Sequence, residues 1–260
     1  MVLKGNTITS EDEMIAQDSA KFWLPQLELH PDPWLRGIIP QTAVVDYNEE
    51  LLSPSLRGEH SDEYDRLYYA VEKVIDLAFQ TPVFIRTDIT SAKHAGKSAY
   101  KVSNYDELNH ALLTTLSHSQ LKTYHGKMKA SAILIRPWLD IKATRTAFNG
   151  LPIGKEWRIF VDQRDVQCSH GYWPKEALDG HMDDGQPPSA PSGDWSEYWI
   201  RTDVLDAARK AAKAMGQLKW SVDFAEDVNG KVWLLDMATA MNSYHDPKCK
   251  FFGLDNFERV

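Results

Sequence analysis

Near the C-terminus two runs alternate apolar and polar residues, Trp220-Ser-Val-Asp-Phe-Ala-Glu226 and Val232-Trp-Leu-Leu-Asp-Met237, with Asn229-Gly230 between them. A period of two predicts strands. Asn-Gly predicts a two-residue type I′ turn, because both central positions of that turn need φ > 0. With such a turn Asp223 stands directly across from Asp236, Cβ atoms ~5 Å apart, where like charges destabilise a sheet. The opposite face is predicted to carry Trp220, Val222, Phe224, Trp233, Leu235 and Met237, whose burial pins the register. Two acids held together need a cation or a shared proton. Alternation alone fits a solvated face as well as a Mg²⁺ site, which uses one or two carboxylates together with substrate phosphates.

Residues 1–60 are expected to be irregular, since Pro25, Pro31, Pro33, Pro40 and Pro54 break any long helix. Phe22-Trp-Leu24 and Trp34 to Val45 are candidate anchors onto the body of the protein. From Ser61 to Phe79, Tyr64, Leu67, Tyr68, Val71, Val74, Ile75 and Ala78 form a helical stripe. Val83 to Asp88 reads as a strand, and it runs into a small-residue loop with Lys93, His94 and Lys97, either a phosphate cradle or a solvated surface loop. Ser103 to Asp106 resembles a capping box opening a helix through Leu108, Leu112 and Leu116. Ala130 to Asp140 reads as a buried strand, at an edge or ending at Pro137. Glu156 to Val161 turns into Val166 to Ser169, with Arg158 on the face of Glu156 and Phe160. That arginine calls for an anion, supplied by Glu156 or by a ligand. Residues 174–200 form a long Pro/Gly/Ser-rich loop, of the kind that is functional or disordered. Asp203 caps a helix burying Val204, Ala207, Ala208, Ala211, Met215 and Leu218.

At 260 residues, 43% hydrophobic and 25% charged, the chain has the composition of a globular protein able to bury a core. A net charge of −8 without basic blocks argues against a nucleic-acid partner. No run of about 20 apolar residues suits a membrane span. Acidic residues 1–20 do not read as a signal peptide. Cys168 and Cys249 lack metal spacing and suggest free thiols in a reducing cytoplasm. No Ser/His/Asp or Cys/His constellation stands out.

The order of Phe84-Ile-Arg86, Ile135-Arg-Pro-Trp-Leu139, Glu156-Trp-Arg158-Ile-Phe-Val161, Val222-Asp-Phe224 and Val232-Trp-Leu-Leu-Asp236 resembles the ATP-grasp superfamily. Within it the chain looks like the divergent clade containing the cell-division-cycle protein that assembles eukaryotic translation initiation factor 2, with phage and bacterial relatives. The resemblance implies an α+β fold with mostly antiparallel sheets, in which two subdomains clasp ATP. Residues 1–60 would pack on the body, 61–132 would form the N-terminal subdomain, and 133–260 the C-terminal one with its 174–200 loop. Carried over residue by residue, Arg86, Lys93, Arg136 and Arg158 bind phosphates, and the Arg136, Pro137, Trp138, Leu139 hinge reads adenine. Asp223 and Asp236 hold Mg²⁺, with Arg158 and Asp236 catalytic. The family's asparagine two residues after its acid is Ala238 here, so Asn242, or Thr239 as its rival, completes the metal set. Arg86 replaces a lysine, and the two cations are not interchangeable at a phosphate. The implied activity is an ADP-forming carboxylate–amine ligase acting through an acyl phosphate, on a small molecule, a peptide or a protein. The alternative is an ATP-binding assembly chaperone or adaptor with little turnover.

Overall fold

Strands outnumber helices and pair mostly antiparallel in the computed structural model, which describes residues 17–91, 93, 96, 100–125, 129–163, 165–186, 200–216 and 218–245. The α+β expectation holds. The chain divides into two units, one of Pro40–Asp140 with Phe148–Leu151, the other of Met1–Ile39, Ile141–Ala147 and Pro152–Val260.

Two helices come first, α1 (Ala20–Glu28) and α2 (Pro33–Gly37), followed by β1 (Ala43–Asp46) and α3 (Glu49–Leu56). Residues 17–60 are therefore not irregular: Pro25 and Pro54 lie inside α1 and α3, and Pro33 opens α2. Each short helix is started by a side chain: Ser19 accepts from the Lys21 N–H, Asp32 from Trp34 and Asn48 from Glu50. Trp23, Leu24 and Leu27 are buried, and Phe22 stacks on Trp220 at 6.4 Å, so the first aromatic run is an anchor.

In the Pro40–Asp140 unit, β1, β2 (Val83–Thr87), β3 (Lys101–Val102) and β4 (Ala132–Pro137) form a sheet in the order β1-β4-β2-β3. Pro137 therefore ends a central strand, where its missing N–H breaks no ladder. Helix α4 (Asp62–Ala78) begins where the Ser61 hydroxyl accepts from the Tyr64 N–H. The acids Asp62, Glu63 and Asp65 in its first turn complement the helix dipole. Helix α5 (Tyr105–His125) starts one residue later than a Ser103 cap implies: Asn104 accepts the Glu107 N–H while Glu107 accepts the Ser103 N–H at 2.7 Å. Both helices pack their leucine and valine stripes on Val83, Ile85, Ile133 and Ile135. The other face of the sheet carries Arg86 and Arg136, because Phe84 pairs with Arg136 and Arg86 with Leu134.

The second unit holds β5 (Ala143–Ala147) and all but the first residue of β6 (Leu151–Gly154), then β7 (Glu156–Asp162), β8 (Asp165–Gly171), the single turn α6 (Lys175–Leu178), α7 (Thr202–Ala214), β9 (Lys219–Glu226) and β10 (Val232–Thr239). Four of these strands form a sheet in the order β10-β9-β7-β8. Trp157, Ile159, Trp220, Val222 and Phe224 are fully buried in it, and α7 buries its alanine stripe with Val204. Arg201, not Asp203, occupies the N-cap; Asp203 lies in the first turn, paired to Arg201. Within the 174–200 loop, residues 187–199 lie outside the described residues, as does Cys249.

The β9–β10 connection differs from the two-residue turn. Asp227 and Lys231 close a three-residue loop, Val228-Asn229-Gly230, in which Gly230 has φ +78° while Asn229 is not left-handed. This is the type I turn with a following left-handed glycine. The Asp227 carboxylate organises it by accepting the Asn229 and Lys231 N–H groups, both at 2.9 Å, and the Trp233 indole at 3.0 Å. Burial would raise the Asp227 pKa, but these bonds outweigh it and hold the carboxyl below its ordinary 3.8. A depressed acid stabilises fully above its unfolded pKa and loses that contribution as pH falls through the folded value. Asp227→Ala is therefore expected to cost about 1–2 kcal/mol at neutral pH, with the gap to the unaltered chain narrowing below pH 3.8. Urea midpoints at pH 7 and pH 3 measure it, and equal gaps at both would contradict the charge contribution.

Candidate functional site

The longer loop shifts the pairing by one residue, so Leu234 faces Phe224 and Trp233 faces Ala225. A bulge between Leu234 and Asp236 then restores the predicted register. Asp236 does face Asp223, but Leu234 and Val232, not Leu235 and Trp233, lie on the buried side with Met237. Trp233 instead sits on the other face beneath the Lys231 ammonium, 3.5 Å from its ring centre. The outer edge of β10 is covered where the Leu234 N–H bonds to Ile38 O at 2.8 Å.

Arg158 pairs with Asp223 across β7–β9 and with His170 across β7–β8. His170, Arg158, Asp223 and Asp236 thus form one transverse row on a single face of the sheet, because directly opposed residues share a face. The cation demanded by the two acids is in part Arg158 itself. Its Nε and Nη2 reach the two Asp223 oxygens at 2.8 Å each, with side chains 14% and 7% exposed. Nη1 donates to Tyr244 O at 3.3 Å, and the Tyr172 ring lies 4.8 Å from the guanidinium. Burial would lower the Arg158 pKa, but Asp223 overrides it and raises it, so this arginine stays charged. Three of its five N–H donors are used in these bonds, which leaves two for an anion. Glu156 is not its partner; that carboxylate accepts from the Trp173 indole at 2.7 Å.

At the end of β10 the chain turns through a short 3-10 segment, Ala240–Asn242. Here a third acid enters that the proline-rich leading segment concealed. Buried Asp18 accepts the Thr239 N–H with one oxygen and the Asn242 amide Nδ2 with the other. Asn242 Nδ2 also reaches Thr239 Oγ1 at 3.1 Å, so the two rivals for the metal set are bonded to each other. Burial raises the Asp18 pKa against those hydrogen bonds, and the charge of Asp236 raises it further. The set holds three carboxylates and one guanidinium, an excess of acid that a divalent cation neutralises.

Among the described residues no three His, Cys, Asp or Glu side chains converge into a metal cage. Asp223, Asp236 and the Asn242 amide are nonetheless hard oxygen donors of the kind Mg²⁺ takes, that ion completing its shell with water and phosphate oxygens. By donor type alone these residues suit Mg²⁺.

Further along the same face a Cys/His contact appears that sequence spacing hid. Cys168 Sγ lies 2.8 Å from His245 Nε2, and the His245 ring packs edge-on to Phe160 at 4.8 Å. Cys168 is buried.

The remaining predicted residues belong to the other unit. Arg86 is buried and donates Nε to Thr87 O at 3.0 Å; Arg136 is buried and donates to the Thr42 hydroxyl at 3.0 Å. In the hinge, Pro137 ends β4, the Trp138 N–H is engaged by Pro82 O, and the Trp138 ring stacks on Tyr100 at 6.2 Å with the Lys101 ammonium 4.5 Å from it. Leu139 follows at the end of this segment. Lys93 lies in the loop after β2, several of whose residues fall outside the described ones.

No protein-family model matches the chain, and no curated protein matches it in sequence. Among solved structures, Cdc123 from Schizosaccharomyces pombe overlays with a TM-score of 0.52 at 15% identity, covering 90% of this chain and 87% of that one. The ATP-grasp ligase PsnB, complexed with a minimal precursor, overlays with a TM-score of 0.40 at 13% identity, over 86% of this chain and 53% of that one. The fold resembles that of Cdc123. VanG D-Ala:D-Ser ligase from Enterococcus faecalis gives a TM-score of 0.47 at 14% identity, over 85% and 52%. This Cdc123-like chain therefore spans about half the length of those ligases. No described helix is long and apolar enough to cross a membrane.

Proposed function

We propose that the chain binds Mg·ATP at the Arg158–Asp223–Asp236 row and uses it to join a carboxylate to an amine. The observation that carries this reading is the row itself: a charged arginine with spare donors beside an excess of carboxylates, on one face of a rigid sheet. Asp223, Asp236 and Asn242 would hold the ion, which neutralises phosphate charge when bound. Arg158 would contact phosphate oxygens, for which planar guanidinium forks are suited. In the reaction a substrate carboxylate oxygen takes the terminal phosphoryl group and releases ADP; an amine nitrogen then attacks the acyl carbon, phosphate leaves, and an amide forms. The work is positioning and charge stabilisation, with no covalent residue needed. The buried Cys168 thiol suits a reducing compartment such as the cytoplasm.

A thermal-shift series with ATP, ADP and other nucleotides, with and without Mg²⁺, tests it. A ligand that binds only the folded state at 100 times its Kd stabilises by about 2.7 kcal/mol, so Mg·ATP is expected to raise Tm clearly. No shift with any nucleotide would overturn the reading. The alternative is an adaptor, a nucleotide-loaded module that grips a protein with little turnover. ADP formation that depends on an added carboxylate and amine separates the two.

A further inference from the structure

Asn242 is exposed in the 3-10 turn that follows β10, four residues past Ala238, where a freely rotating amide would be a poor ligand. The structure restrains it. Asp18 receives one N–H of the Asn242 amide and the backbone N–H of Thr239, and the second N–H of that amide goes to Thr239 Oγ1 at 3.1 Å. An ionised carboxylate only accepts hydrogen bonds, so the end of the amide that faces Asp18 must be Nδ2. Among the described residues nothing donates to Asn242 Oδ1. Nitrogen of an amide does not ligate a hard cation, whereas its oxygen does.

We propose that Asp18 is a positioning residue for the cation site: by taking the Asn242 NH₂ group it sets the amide so that Oδ1 is the end offered to the ion of Mg·ATP. The inference rests on the Mg·ATP reading above. It also explains how an asparagine four residues displaced from Ala238 substitutes for one in the strand: a carboxylate from the far end of the chain braces it. Outer partners of this sort orient metal ligands, and losing one typically weakens ion affinity by about 10–100-fold.

The test titrates Mg²⁺ at fixed ATP and follows Tm, in the unaltered chain and in Asp18→Asn, Asn242→Ala and the double variant Asp18→Asn/Asn242→Asp. In Asp18→Asn the introduced amide still accepts from Thr239 but turns its own NH₂ toward Asn242 and forces that side chain over. The Mg²⁺ midpoint is expected to rise about tenfold in Asp18→Asn and in Asn242→Ala, with ATP binding in EDTA unchanged. The double variant restores one carboxylate and one amide in swapped positions and is expected to return the midpoint to within about threefold of the unaltered chain. Tm without ligands monitors folding separately. A midpoint in Asp18→Asn equal to that of the unaltered chain, a shift there without one in Asn242→Ala, or equal losses with and without Mg²⁺ would each overturn the role of Asp18 alone. An unaltered chain that never responds to Mg·ATP would remove the nucleotide reading itself, and this inference with it.

Discussion

Arg158→Ala is expected to destabilise the chain by about 3–5 kcal/mol, because it strands the Asp223 carboxylate in a nearly dry sheet face with Asp236 across the ladder. For a protein of this size that is a fall in Tm of roughly 10 °C. Most of the loss is the cost of an uncompensated buried charge, not the net worth of the pair. Replacing both Arg158 and Asp223 by leucine should therefore recover most of the stability, since an apolar pair of similar volume is often neutral. Denaturant midpoints of the single and double variants check this; a double variant as unstable as the single would mean that the pair itself, and not the stranded charge, sets the loss. In the fraction that remains folded, Arg158→Ala should weaken ATP more than adenosine, because the two unused N–H donors have only the phosphates to meet. Equal losses would make the arginine purely structural.

Asp236→Asn has the opposite signature. Asp236 is half-buried, has the Met237 N–H at 3.1 Å, and adds like charge to a region that already holds Asp18 and Asp223. Removing its charge is expected to leave unliganded Tm nearly unchanged while weakening Mg·ATP on the order of a hundredfold. At a nucleotide concentration that gives the unaltered chain about 2.7 kcal/mol, the variant would keep about 0.4 kcal/mol. A thermal shift as large as that of the unaltered chain would take this hairpin out of the mechanism.

Much of this site is legible in the residue pattern, though not always for the right reason. Asp223 faces Asp236 as alternation predicts, yet a two-residue turn is not what puts it there. The Asp227 carboxylate builds a longer loop, and the bulge beyond Leu234 cancels the resulting slip. Asn229-Gly230 gives a strong turn signal without disclosing the turn type, because a side chain two residues earlier decides it. Between the loop and the bulge the slip is uncorrected, and there the inside and outside assignments of Trp233 and Leu234 reverse. Helix α4 is legible in full because its stripe and its Ser61 cap agree. The short leading helices are not, since prolines mask caps at Ser19, Asp32 and Asn48 that are visible once sought. Asp18 carries no local signal: its partners are Thr239 and Asn242, at the other end of the chain. Cys168 and His245 likewise become neighbours only when β8 and the end of the hairpin share a face.

The claim on which the rest stands is that the acid row seats a divalent ion together with a nucleotide, and counting bound ions tests it most directly. Mn²⁺ in place of Mg²⁺ gives an electron paramagnetic resonance signal when free in solution, so uptake can be titrated with and without ATP. Stoichiometric uptake that requires ATP and disappears in Asp236→Asn is the predicted result. Uptake in Asp236→Asn equal to that of the unaltered chain, or uptake indifferent to ATP, would contradict it.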